Sequence, residues 1–354
     1  MSLSNQTSGL IVGLIIGLIV GGAGVFILVP GGQPTGAPQY TITSSGSTTV
    51  LPLSQEWSEQ VTDTYPNIQF NPSGGGSGQG QADAAAGEVD IGASSSYPGE
   101  DYATNNPNVD ILPVSADALA IVANTNVNGS TFKMDCDMAV AIFSAQITTW
   151  EDFESTFDVN IQATGDINVY VRSDESGTTA TFTKWLETVN ETDGMNGEDY
   201  YWTYGHDEAM SWAEGLTGAQ GNPGVANSVK DDENGIGYVG FAFTEGLTPI
   251  SLWNPGNQEW VEATTVNALK AIPNTINDPG VNLFNSDSTG AYPIARLLFY
   301  LVPQDTLDWY TIIFLDWCLS QGQQYIDDVG YLAIEGTAAW DYSVELLAGM
   351  SPAS

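Results

Sequence analysis

The alternation of apolar and polar positions divides the chain near residue 30. Gly9 to Val29 reads GLIVGLIIGLIVGGAGVFILV, 21 residues without a charge, and Pro30 closes the run. A helix of that length reaches about 30 Å, the thickness of a hydrocarbon core. The run predicts a membrane-spanning anchor over 1–30. A cleaved signal is the competing reading, but the first ten residues hold no Lys or Arg and no A-x-A site follows. No cysteine follows the run, which excludes a lipoprotein anchor. The first basic residue is Lys133, so flanking charge does not orient the segment. GGQPTGAPQ at 31–39 reads as a Gly/Pro linker.

From Tyr40 the pattern is that of a folded domain. Tyr40–Thr43 is strand-like. Val50, Leu53, Trp57 and Val61 recur at helical spacing up to about Thr64. A strand at Ile68–Phe70, a Gly-rich loop at 73–80 and a short helix at 81–87 come next. Val89–Gly92 ends a third strand, and Ala118–Ala123 makes an apolar fourth. Further on, Ala139–Phe143 reads as helix, Ile167–Val171 as strand, Thr178 to about Val189 as helix and Gly235–Phe243 as strand. The tail returns to helix at Thr306–Leu319 and Ala338 to about Leu347. Strands alternating with helices predict an α/β fold with a mostly parallel sheet.

Composition narrows the function. Forty-three acidic residues face six Lys plus Arg, for a formal charge of −37, while 42% of residues are hydrophobic. The chain has the apolar content for a core, and its field repels nucleic acid and anionic lipid. The acidity fits either adaptation to high salt or an ordinary acidic extracellular protein. Cys136 and Cys318 read as packed thiols or as a disulfide. Asp135 and Asp137 flank the first and disfavour its thiolate. No Cys/His cluster suggests a metal, and no cofactor is expected. Asn128-Gly-Ser and Asn190-Glu-Thr fit glycosylation sequons.

Against that background stands Arg172, one of two arginines, in VRSDESGTTATF at 171–182. Three segments share one design, a strand, a Gly/Ser/Thr turn and a helix: GSTTV at 46–50, GGGSGQG at 74–80 and DESGTT at 174–179. The first N–H groups of a helix lack partners and carry partial positive charge, so such turns can hold an anion. Asp174 is placed to hold the Arg172 guanidinium. Asp90, at a strand end, makes sense beside an anion that carries a proton, which it would accept. Fully ionised sulfate would leave that acceptor unsatisfied.

These segments, with VDIGAS at 89–94 and GIGYVGFAF at 235–243, occur in the order seen in phosphate-binding proteins, the extracytoplasmic receptors of phosphate ABC transporters. Tyr292-Pro-Ile and FLDWCLS at 314–320 also resemble that family, and the likeness runs from about Thr41 to the end. It implies a type II periplasmic-binding-protein fold, two α/β lobes joined by two hinge crossovers. Lobe I would be 40–118 with 290–354, and lobe II 119–289, with crossovers near Ala118–Ala123 and Ala291–Tyr300. The implied phosphate ligands are Thr49, the Val50 amide, Ser77, Asp90, Arg172, Ser176, the Gly177 amide and Thr178, with Asp174 orienting the arginine. Three hydroxyls at 47–49 leave the first turn ambiguous by one residue. The implied role is non-catalytic binding of inorganic phosphate and delivery to a permease, by a monomer anchored outside the membrane. Another oxyanion or a sensing role remains open. An enzyme is disfavoured because His206, the sole histidine, is far in sequence from every turn.

Overall fold

In a computed structural model of the protein, residues 38–127, 132–161, 163–191 and 200–353 are described. The expected membrane span lies outside them, as do Asn128-Gly-Ser and Thr192 of the two sequons. Among the described residues no helix is long and apolar enough to cross a membrane.

The first stretch alternates β1 (Tyr40–Gly46), α1 (Leu51–Thr64), β2 (Ile68–Pro72), α2 (Ser77–Ala86), β3 (Ile91–Ser94), α3 (Glu100–Asn105) and the 15-residue β4 (Val109–Ala123). The middle carries β5 (Lys133–Met134), α4 (Cys136–Phe143), α5 (Trp150–Phe157), β6 (Asn168–Arg172), α6 (Gly177–Glu187), β7 (Thr217–Ala219), α7 (Gly221–Asp231) and β8 (Gly235–Gly240). Short strands β9 (Thr248–Pro249), β10 (Ser251–Asn254) and β11 (Glu259–Val261) follow, with α8 (Thr265–Leu269). The chain ends in β12 (Ala295–Pro303), α9 (Trp309–Leu319) and α10 (Ala338–Gly349).

The main sheet runs β2-β1-β3-β12-β4-β8-β6-β7, with β9 also on β4. β1 pairs in parallel with β2 and β3, and β6 with β7 and β8. β12 is antiparallel to β3 and β4, and β4 to β8. The sheet is therefore mixed, not mostly parallel. The two long central strands carry the chain across the sheet and run against their neighbours. β4 changes partner midway: Val109–Ala118 lie on β12, Leu119–Ala123 on β8.

Helical spacing explains α1. Leu53, Trp57 and Val61 are buried, and they join Ile42, Phe70, Tyr300 and Phe314 in one core. The Trp57 indole donates to the Gly322 carbonyl at 2.9 Å, which ties this helix to the C-terminal segment. A second, larger core gathers Phe143, Trp150, Phe182 and Trp185 around β6 and β8 and continues beneath β4 and β12. α2 begins at Ser77, four residues before the expected Gln81, so the helix takes in half of the Gly run. Packing explains that glycine content: a Cβ on Gly80 would lie 2.5 Å from the Ala93 carbonyl oxygen and 2.8 Å from that of Ser45. Only a bare backbone lets α2 sit this close to β1 and β3.

The cysteines are unpaired. The Cys136 thiol faces the Trp185 carbonyl, and Cys318 lies in the other core. Burial, first, pushes the Cys136 thiol up against a lowering bond from Thr188, and Asp137 and Asp135 add to the rise.

Candidate oxyanion-binding cleft

β1 and β3 of one half of the sheet and β6 of the other end at a common cleft. The turn after β1 leads into α1, the turn after β2 into α2, and the turn after β6 into α6. A cavity of about 840 Å³ opens there, lined by Thr48, Thr49, Arg172, Asp174, Asn222 and Tyr331 among others.

In the first turn the three hydroxyls take different tasks. Ser47 Oγ accepts from the amides of Thr49 and Val50 at 3.2 and 3.3 Å and so closes the turn that leads into α1. Thr48 is exposed at the cavity wall. Thr49 is buried, with Oγ 3.4 Å from Thr178 Oγ across the cleft. The Tyr331 hydroxyl donates to the Thr49 carbonyl at 2.6 Å and holds this turn from the C-terminal segment.

In the turn before α6, Ser176 Oγ accepts from the amides of Thr178 and Thr179 at 3.1 and 3.3 Å. This is the N-cap expected of the Ser-Gly-Thr pattern. A hydroxyl used as a cap still has its own proton to donate. Arg172, 7% exposed, donates from Nε to Asp174 Oδ1 at 2.8 Å and from Nη2 to Oδ2 at 2.5 Å. The bidentate pair fixes the plane of the guanidinium. Asp174 also accepts from the Gly221 amide at 2.9 Å. Burial raises its carboxyl, but the bonds from Arg172 and Gly221 outweigh that and hold it below the ordinary aspartate range.

The third turn meets the same place. Gly76, at φ 90°, precedes α2, and no side chain caps that helix. Ser77 Oγ accepts from the Ser95 amide at 3.1 Å and lies 3.2 Å from Ser95 Oγ. Ser95 in turn reaches the opposite half: a Cβ on Gly177 would lie 2.0 Å from its Oγ. Thr49, Ser77, Arg172, Ser176, Gly177 and Thr178 are thus brought together and buried.

Asp90 is not among them. Its Oδ2 accepts from the Thr43 amide at 2.7 Å and from the Thr43 hydroxyl at 2.8 Å, beside the start of β3. Ser95 is five residues on, about 16 Å along an extended chain. The parallel register pairs Ser44 with Ile91 and Gly46 with Ala93, so the cleft lies at the other end of these strands. β3 runs on to Ser94, two residues past the end expected at Gly92. The residue type that stands at its end is serine, at 94 to 96. We expect Asp90→Asn to leave anion affinity within about twofold of the unchanged protein, since a half-exposed carboxylate this distant contributes little through solvent. A titration showing tenfold weakening would return Asp90 to the site.

Residues not singled out from the sequence complete the cleft. Arg296 on β12 donates to Asp117 on β4 and to the Gly177 carbonyl. The Tyr238 hydroxyl on β8 accepts from the Arg172 amide at 3.3 Å and bonds Thr179 Oγ at 2.7 Å. The Glu208 carbonyl accepts from the Ser176 amide at 3.0 Å. The rarity of arginine was the one signal that pointed to Arg296. His206, by contrast, is a half-exposed surface partner of Glu187, 2.7 Å away.

This architecture has relatives. The family model described as PBP superfamily domain matches residues 32–321. The phosphate-binding protein PstS of Xylella fastidiosa is 26% identical over 307 residues, covering 83% of this chain and 81% of that protein. PstS of Methanocaldococcus jannaschii is 27% identical over 317 residues, covering 80% and 79%. Among solved structures, an ABC-type phosphate transport receptor from Vibrio cholerae superposes with a TM-score of 0.60 at 20% identity, over 82% of this chain and 99% of that one. A high-affinity periplasmic phosphate-binding protein (PfluDING) bound with phosphate gives 0.62 at 19%, over 86% and 93%. The family match takes in all three turns and both central strands, and the chain belongs to the PBP superfamily.

Proposed function

We propose that this protein binds inorganic phosphate on the outer side of the membrane and delivers it to the permease of a phosphate ABC transporter, without chemistry on the ligand. The observation that carries the reading is the meeting of hydroxyl-bearing helix starts from both halves of the sheet, Thr49 and Thr178 3.4 Å apart, beside a buried and oriented arginine. Such a cradle suits a small dehydrated oxyanion. The names of the relatives supply the choice of phosphate and of the transporter. In this reading the donors are Thr49, Ser77, Arg172, Ser176, the Gly177 amide and Thr178, joined by Ser95, and the Val50 amide joins them only by giving up its bond to Ser47 Oγ. Asp174 orients the arginine. The segments 40–118 with 290–354, and 119–289, act as lobes that close on the anion, and residues 1–30 tether the monomer.

Calorimetric titration of phosphate into the full chain in detergent tests this directly. Saturable binding at one site is expected, and no heat at millimolar phosphate would sink the reading. Charge adds a kinetic signature. At −37 the field of the protein opposes an approaching anion. At about 1 M salt the Debye length is about 3 Å and that opposition is screened. Stopped-flow association should therefore accelerate as salt is raised. A rate that falls with salt would mean that local positive charge dominates the approach.

A further inference from the structure

A chain with two arginines sends both to the same helix start. Arg172 stands on the strand before α6. Arg296 comes from β12, far along the chain, and is 7% exposed. Its Nη1 donates to the Gly177 carbonyl at 2.5 Å and to Thr181 Oγ at 2.6 Å, and its Nη2 reaches Thr178 Oγ at 3.5 Å. Nε and Nη2 also donate to Asp117 Oδ2 at 3.2 and 2.7 Å. Asp117 is directly opposite Arg296 in the register of β4 and β12, two residues before β4 moves on to β8.

We propose that Arg296 is a second positioning cation of the oxyanion site, and that Asp117 is the counter-charge that sets how strongly the site attracts an anion. The proposal rests on the anion-binding reading above. A guanidinium only donates, so the Thr178 and Thr181 hydroxyls must accept from it. Thr181 spends its proton on the Gly177 carbonyl at 2.8 Å. Thr178 keeps its proton for the cleft. Arg296 thus fixes Thr178 as a donor toward the ligand and holds the first turn of α6 against the strands that join the two halves. Each arginine has one aspartate, Asp174 for Arg172 and Asp117 for Arg296. An arriving anion then meets two buried cations whose partners are already aligned, in surroundings where charge is poorly screened.

A purely structural pair makes a different prediction from a functional one. If the pair only holds the hinge, removing either member harms phosphate binding alike. If Asp117 offsets a working cation, the two changes act in opposite directions. The test is calorimetric titration of phosphate into the full chain in detergent, for the unchanged protein and for Arg296→Met, Arg296→Lys and Asp117→Asn. Arg296→Met should bind about 10- to 100-fold more weakly, the scale of a lost charged hydrogen bond. Arg296→Lys should recover part of that loss by keeping the charge without the fork. Asp117→Asn keeps shape and an acceptor, and should bind phosphate more tightly than the unchanged protein. Equal weakening by Arg296→Met and Asp117→Asn would overturn the proposal, as would an Arg296→Met titration matching the unchanged protein. Where Arg296→Met does not fold, the sign of the Asp117→Asn change decides alone. Absence of binding by the unchanged protein would instead refute the phosphate reading itself.

Discussion

Gly177→Ala is expected to weaken phosphate binding about 100-fold while leaving the empty protein folded. The added methyl would lie 2.0 Å from Ser95 Oγ, well inside contact distance, and 3.6 Å from Arg296 Nη1. Ser95 directly follows β3 in one half of the sheet, and Gly177 begins α6 in the other. The overlap therefore arises between the two walls of the cleft and not within either. Overpacking of this kind costs about 1–3 kcal/mol, which is roughly 5- to 150-fold in affinity. The empty protein can relieve the clash by holding the walls slightly apart, so its thermal midpoint should move by only a few degrees. The bound form has no such freedom. A second change separates this account from a general disturbance of α6. Ser95 Cβ would be 3.4 Å from the new methyl, an ordinary contact. Ser95→Ala should therefore rescue part of the Gly177→Ala loss, although alone it removes a cleft hydroxyl. Gly177→Ala binding phosphate like the unchanged protein would show that the cleft does not close at this point.

Arg172→Met should cost more, about 100- to 1000-fold in phosphate affinity. A charged hydrogen bond to the ligand contributes about 1.5–3 kcal/mol. The variant also leaves Asp174 in the cleft wall without its partner, an uncompensated negative charge facing an anion. Arg172→Lys should fall between, since an ammonium keeps the charge but not the bidentate grip on Asp174. Adding Asp174→Asn to Arg172→Met should restore part of the affinity. Acid stability supplies an independent readout. The folded-state value of Asp174 is depressed, so its contribution to stability is present above the ordinary aspartate value and is lost as acid takes the pH down through the lowered one. Without Arg172 that contribution shrinks, and the acid-unfolding midpoint should move to higher pH. An unchanged midpoint in Arg172→Met would contradict the role given to the pair.

Local chemistry made much of the cleft legible. The Ser176-Gly-Thr pattern marks a cap because a Ser hydroxyl before a helix meets bare amides, and the α6 cap has that form. Asp174 two residues after Arg172 is close enough to pair without any fold, and it does. Leu53, Trp57 and Val61 face inward because helical spacing stacks them on one side. Asp90 shows the limit. Whether a residue lies at the start or the end of a strand depends on register with a neighbour, here Ser44 on Ile91, and the apolar pattern of one short strand does not contain it. The place of Ser95 at the cleft depends on the same register.

By itself the sequence determined the α/β class, the Ser176 cap of α6, the Arg172–Asp174 pair and the acidic field, because each depends on residues close in the chain or on composition. Tertiary structure alone decided which distant residues meet at the start of α6. Arg296 and Asp117, 179 positions apart, become neighbours only through the antiparallel pairing of β12 on β4. Tyr331 secures Thr49 across 282 positions. The mixed direction of the sheet likewise follows from which strands carry the chain between halves. Such contacts are set by how elements pack, and packing is a property of the whole core that no short stretch of sequence encodes.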